Sequence, residues 1–274
     1  MCLSFPNAPE KLTSTELRIL EYIEHQREAF LFMTIGQLAQ QLQVSEATVS
    51  RFVRHMGCQD FKQFKALVLE QSAVDGPSGK LARTLSDAGE FTLGLYLARQ
   101  QQCLERTAEN LDESVFQQAV AALAGARRVF IHAKSASASL GQLLFFRLRR
   151  LGLDVSLLPS GGSEIMEGLA RAETGDLVVL FSFSKVSWEG RAILELQKKA
   201  GYQTLAFTSR LHIPEEEQAD IDLFVDRGQE QEYHSMTAAA AVVDALVVAL
   251  SRSLGAEGTK HLNYLHDLKS RIRP

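Results

Sequence analysis

Two stretches of this 274-residue chain hold residue types that could do chemistry, and both suit an anionic partner. The first is SEATVSRFVRHMG, residues 45–57. Wound at 3.6 residues per turn, it gathers Ala47, Val49, Phe52, Val53 and Met56 on an apolar side. Thr48, Ser50, Arg51, Arg54 and His55 fall on the other. Ser45 stands where an N-cap belongs, Glu46 in the first turn that the helix dipole favours for an acid, and Gly57 where a left-handed residue ends the helix. Just upstream, Thr34 and Gln37 form a capping-box pair, Ile35, Leu38, Ala39 and Leu42 line a second apolar face, and Val44 sits in the turn between. Two short helices so joined, the second with arginines and hydroxyls outward, match a helix-turn-helix that lays its second helix in the DNA major groove. The roles expected are Thr48, Ser50, Arg51 and Arg54 on DNA, and Ser45 with Lys62 or Lys65 on phosphates. An antiparallel helix pair with a solvated polar face would use the same residues.

The second feature is a pair of hydroxyl-rich strand ends. After RVFIHA comes KSASASLG, with Ser135, Ser137 and Ser139; after DLVVLF comes SFSKVS, with Ser182, Ser184 and Ser187. Hydroxyls and free backbone N–H groups at a helix N-terminus favour a phosphate or another anion. Serines also cap helices without any ligand, so two such ends leave a binding site and plain capping both open. For proton transfer the nearby groups are Glu164, Glu189, Glu230, Glu232, His132 and His234. None stands in a constellation that marks a general base; Glu189 reads as a helix-dipole partner and His132 as a packed core residue.

These residues need elements to hold them. A helix over 14–27, with Leu17, Leu20, Tyr22 and Ile23 inward, leads through an apolar connector, Ala29 to Met33, to the helix pair. Asp60 then caps a further helix with Phe61, Phe64, Leu67 and Val68 inward and Lys62 and Lys65 outward, which completes a small all-α domain ending near residue 72. Residues 72–91, with Gly76, Pro77, Gly79 and Gly89, break the periodicity and read as a hinge. A helix over 92–110 carries Leu95, Leu97 and Leu104, with Leu111 beyond it, a stripe that suits either its own domain or a second subunit. Another helix follows from a cap at Asp112. From Arg127 onward, five continuous aliphatic runs alternate with helical segments, as in a doubly wound α/β domain with a five-stranded parallel sheet. Ligands of such sheets sit beyond the carboxyl ends of the strands, at the switch point. A last helix spans 259–272. The expected division is 1–75 for DNA, 76–110 as linker and connecting helix, and 111–274 for the ligand.

The totals are those of a globular protein, 46% hydrophobic and 23% charged. No apolar run reads as a membrane span, the N-terminus lacks the features of a secretion signal, and Cys2, Cys58 and Cys103 make no metal-ligand spacing. A cytoplasmic location with no membrane, metal or cofactor is expected. The net charge of −4 does not announce a nucleic-acid binder, but residues 45–69 are locally basic. DNA affinity should then depend on dimerisation and fall steeply with salt.

The segment VSEATVSRFVRHMGCQDFKQFK and the SFSKVS turn together carry a family resemblance. The turn resembles the S-x-S-G-x-[ST] motif of sugar isomerase (SIS) domains, and KSASAS occupies the place of their glycine-rich loop. A helix-turn-helix followed by an SIS domain resembles the RpiR/MurR family of bacterial transcription regulators, over about residues 12–254. The resemblance implies a homodimer or homotetramer on a palindromic operator of double-stranded DNA, with a phosphorylated sugar as effector. It further implies that Ser182, Ser184 and Ser187 hold the phosphate and that Ser137 faces the ligand, with Ser135 beside it. The family's glycines stand here as Ala133, Ser135, Ala138 and Lys185. Lys185 and Lys134 add charge for an acidic ligand, or else the pocket has degenerated into a dimerisation surface. The other alternative is a sugar-phosphate isomerase.

Overall fold

The computed structural model describes residues 3, 5, 9, 11–71, 77–87 and 91–272. The 75/76 boundary, Cys2, Gly76 and Gly89 lie outside the described residues. The chain divides into two compact units, residues 1–98 with 228–234, and residues 99–227 with 235–274.

The first unit is helical. It contains α1 (Ser14–His25), α2 (Arg27–Phe32), α3 (Ile35–Leu42), α4 (Glu46–His55), α5 (Phe61–Gln71) and α6 (Pro77–Asp87). Its core is aromatic: the ring of Phe64 stacks on Phe5 at 5.0 Å and meets the edges of Phe30 and Phe52 at 6.0 and 5.5 Å. The caps on either side of α3 and α4 form as the sequence requires. Thr34 and Gln37 make the reciprocal capping box on α3, Ser45 Oγ accepts from the Thr48 N–H on α4, and Gly57 takes φ +85°.

Several expectations change. The segment read as a connector is α2, because Phe30 and Leu31 are fully buried and the helix gives them one face. In α1 the inner pair is Ile19 and Ile23, four residues apart, which turns Leu17 outward at 53% exposure. Ala47 is exposed. Residues 77–87, read as hinge, form α6, which starts on Pro77, a residue suited to a first helical turn, and buries Ala82 in the aromatic core.

Helix α7 (Leu93–Asn110) runs across the division between the units. Its buried residues are Gln100, Cys103 and Thr107, so Leu93, Leu95, Leu97 and Leu104 face outward. The second unit continues with α8 (Glu113–Gly125), β1 (Val129–His132), α9 (Ala138–Arg150), β2 (Val155–Leu157), α10 (Glu164–Leu169), β3 (Leu177–Phe181), α11 (Trp188–Ala200), β4 (Gln203–Thr208), β5 (Ile221–Phe224) and α12 (Thr237–Ile272). The sheet is wholly parallel, in the order β2-β1-β3-β4-β5, as expected of a doubly wound domain. Alternate strand residues feed two cores. Ile131, Val179, Leu205 and Phe207 meet the α8, α9 and α12 side, and Phe130, Val178, Leu180 and Ala206 meet α10 and α11.

The last helix, read at 259–272, is the end of the longer α12, which kinks where Gly255 leaves helical geometry at φ 55° and ψ −127°. Against the sequence reading, α12 is long and apolar enough to cross a membrane. Its Ala238, Val242, Val243, Leu246 and Leu250 are buried in the sheet's core, while Val248 on the other side is 69% exposed.

At the amino ends of β1 and β3 the fully buried Asp176 carboxylate accepts from Arg127 Nε and Nη2, both at 3.0 Å, and from Arg128 Nη2 at 2.8 Å. Burial raises its pKa, but the two guanidinium groups and the Glu173 N–H outweigh burial and hold it at about 2. A carboxyl lowered in the fold stabilises above its unfolded pKa near 4 and loses that stabilisation as pH falls towards 2. Wild type should therefore lose about 2 kcal/mol relative to Asp176→Asn between pH 4 and pH 2 in urea unfolding. Parallel acid limbs for the two proteins would remove this role.

Candidate DNA interface and anion site

The outer side of α4 is positively charged and rigidly held. Arg51 and Arg54 are exposed, Thr48 and Ser50 half-buried, and Ser45 exposed at the cap. Ser45 Oγ and Thr48 Oγ1 are 2.8 Å apart, and Arg51 Nη2 donates to Thr48 Oγ1 at 3.5 Å. Among the described residues no carboxylate pairs with Arg51 or Arg54. The far end of α4 is tied down by His55, whose Nδ1 lies 2.7 Å from Glu16 Oε1 of α1, and Arg18 bonds the Leu42 carbonyl at the end of α3. The helix is thus fixed by its caps and neighbours, with two unneutralised guanidinium groups one turn apart.

Lys62 is exposed, as a phosphate contact would need, but Lys65 is not. Lys65 is only 8% exposed, and its Nζ donates to the Met33 carbonyl at 3.1 Å, at the end of α2. Burial lowers its pKa. Its methylenes lie along the core while the ammonium satisfies a helix-end carbonyl. Lys65→Met should leave DNA affinity within twofold, whereas Lys62→Ala should reduce the salt slope of binding by about 1. Fluorescence anisotropy at several salt concentrations checks both; a flatter slope in the Lys65 variant would return that residue to the interface.

The two serine-rich ends lie after β1 and β3, which are neighbours in the sheet. Ser135 is exposed and takes φ +55°, the left-handed region, where the resembled family has glycine. Ala133, Ala138 and Lys185, the other glycine positions, have no positive φ, so their side chains carry no such strain. Ser137 is buried and its Oγ donates to the Lys134 carbonyl at 2.8 Å. Ser187 caps α11 by accepting from the Gly190 N–H at 3.2 Å. Ser182 and Ser184 are half-buried, and Lys185 is exposed.

Lys134 is committed elsewhere. Its Nζ lies 2.7 Å from Oε1 of Glu189, a carboxylate that is 1% exposed in the first turn of α11. Burial raises the Glu189 pKa, yet Lys134, Ser187 and the residue's own N–H hold it at about 2. The positive end of α11 therefore already holds a carboxylate from within the chain. The loop after β2 closes over this pair: a Cβ on Gly161 would come within 3.0 Å of Glu189 Oε1. His132, at the end of β1, is buried with Nδ1 lacking a hydrogen-bond partner, and burial lowers its pKa towards the neutral form.

Sequence reasoning missed Arg227, three residues beyond β5. It is 7% exposed, donates from Nε to Ser209 Oγ at 3.1 Å and from Nη2 to Ser184 Oγ at 3.2 Å, and lies 3.9 Å from the ring centre of Phe183. The available signal was its place, a cation at the carboxyl end of a buried parallel strand.

Comparison with known proteins places both halves. Residues 3–74 match the helix-turn-helix domain of the rpiR family, and residues 122–249 match the SIS domain. A protein of Haemophilus influenzae described as an uncharacterized HTH-type transcriptional regulator is 28% identical over 216 residues, 77% of this chain and 74% of its own length. Two solved structures share the fold. One is the Vibrio vulnificus NanR protein complexed with ManNAc-6P, with TM-score 0.58, 23% identity and 96% of each chain covered. The other is the sugar isomerase domain of an RpiR transcription factor from Sphaerobacter thermophilus, with TM-score 0.59, 22% identity, 64% of this chain and 98% of that one. The chain is a transcriptional regulator of the rpiR family, built from an N-terminal helix-turn-helix domain and a C-terminal SIS domain.

Proposed function

We propose that the protein acts in the cytoplasm as a homodimer or homotetramer that grips a palindromic operator and releases or tightens it when its SIS domain binds a phosphorylated sugar or related anionic metabolite. In this reading residues 1–75 hold DNA, 111–274 hold the ligand, and 76–110 join them. The observation that carries it is the pair of exposed, uncompensated arginines on the capped helix α4. Thr48, Ser50, Arg51 and Arg54 read the groove, and Ser45 and Lys62 take phosphates. The outward leucines of α7 supply apolar area for a second subunit. Support for the effector class comes from NanR, a protein of similar fold complexed with ManNAc-6P, and from Ser135, Ser137, Ser182, Ser184, Lys185 and Ser187 at neighbouring strand ends. The test is calorimetric titration with a panel of hexose and N-acetylhexosamine 6-phosphates. Binding by at least one member is expected; silence across the panel would contradict the effector class.

A second reading, a pocket that has lost its ligand and serves only for dimerisation, is favoured by the Glu189 carboxylate already seated at the start of α11. The same titration separates the two. Of the candidate bases, Glu189 is disfavoured: a carboxylate held at about 2 is a weak base at neutral pH. No turnover of aldose or ketose phosphates is expected in a coupled assay.

A further inference from the structure

We propose that Arg227, Ser184 and Ser209 form an oxyanion subsite at the carboxyl ends of β3, β4 and β5, which takes the phosphate or carboxylate group of the effector. The proposal rests on the ligand-sensing reading above and names the residue that supplies its charge.

Asp176 and Glu189 are as buried as Arg227, and each is held by an opposite charge. Arg227 has none: among the described residues no carboxylate lies within ion-pairing distance of its guanidinium. The adjacent Asp226 points its carboxylate to Arg106, 3.9 Å away. Arg227 has only two hydroxyl acceptors and the face of Phe183. Burial pushes its pKa down to about 10, which still leaves it charged at neutral pH. A charge removed from water without a counter-charge is costly. An oxyanion arriving beside it would relieve that cost, and this is the affinity such a site offers.

The hydrogen bonds leave room for that anion. Ser209 Oγ donates to the Val225 carbonyl at 2.7 Å and so can only accept from Arg227 Nε. Ser184 Oγ accepts from Nη2, which leaves its own proton free to donate. Two of the guanidinium's five N–H groups are used, and the rest remain for a ligand. Ser184 belongs to the strand-end turn already read as ligand-facing, so the subsite extends that turn towards β5. The start of α11, by contrast, is occupied by Glu189.

The test uses the full chain in chloride buffer, with inorganic phosphate, glucose 6-phosphate and glucuronate as probes at matched ionic strength. Thermal melting and calorimetry are the readouts. At least one probe is expected to raise the wild-type melting midpoint by several degrees when present at about 100 times its Kd. Arg227→Met should weaken that probe at least tenfold and should itself melt no lower than wild type in chloride, because it removes an unpaired buried charge. Arg227→Lys and Ser184→Ala should each retain a reduced response. A response to phosphate and glucose 6-phosphate alone assigns the anion as phosphate, and one to glucuronate alone assigns it as carboxylate. If Arg227→Met, or Arg227→Lys should the first fail to fold, binds the probes within twofold of wild type, the subsite is wrong while the sensor reading stands. If no probe shifts wild type, the subsite falls; the wider panel of sugar phosphates then decides the sensor reading separately.

Discussion

The Arg51→Ala, Arg54→Ala double variant is expected to lose about 2–6 kcal/mol of affinity per half-site for an operator selected by the wild-type protein. Each guanidinium contributes about 1–3 kcal/mol if it forks onto a base edge. Both are exposed, neither pairs with a carboxylate among the described residues, and the helix that carries them is already fixed by Ser45 at one end and the His55–Glu16 contact at the other. Little ordering cost is left to offset the contacts. Salt dependence refines the result. If an arginine lies on phosphate, its loss lowers the salt slope by about 1 and weakens all sequences alike; on a base edge it relaxes the preference at one position. Retention of wild-type affinity by the double variant in an anisotropy titration would take α4 out of the groove.

Phe64→Ala is expected to cost the helical unit about 3–5 kcal/mol. Phe64 is fully buried, with Phe5 stacked on one face and Phe30 and Phe52 edge-on. The cavity would open beside Phe52, the residue that seats α4, so DNA binding should fail with the fold. Small domains have only about 5–15 kcal/mol in reserve. Scanning calorimetry should then show an early transition for the first unit, while the larger unit melts as before. An unchanged melting profile would mean that this ring cluster is not the keystone described.

What could be read in the sequence was whatever depends on local pattern. The capping pairs Thr34–Gln37 and Ser45–Thr48 are neighbours along the chain, and the five aliphatic runs are buried on both faces whatever lies between them. What could not be read depends on partners far away in sequence. Lys65 shares its helix with the exposed Lys62, but the Met33 carbonyl, 32 residues upstream, draws it inward. Lys134 reads as charge for a ligand until Glu189, 55 residues on, is seen to hold it. Residues 77–87 have the glycine and proline of a hinge, yet they pack as a helix because Ala82 finds the aromatic core. Arg227 was hidden for a related reason: its significance lies in the lack of a counter-charge among the described residues, which no single segment displays.

On the proposed function, an anion bound in the SIS domain changes how α4 holds DNA. The most direct test measures the affinity of the full chain for its selected operator with and without a saturating sugar phosphate that calorimetry has shown to bind. A change of about 5–150-fold is expected, with the reciprocal change in sugar-phosphate affinity when operator is present. Equal operator affinity in the two conditions, with the ligand demonstrably bound, would contradict it.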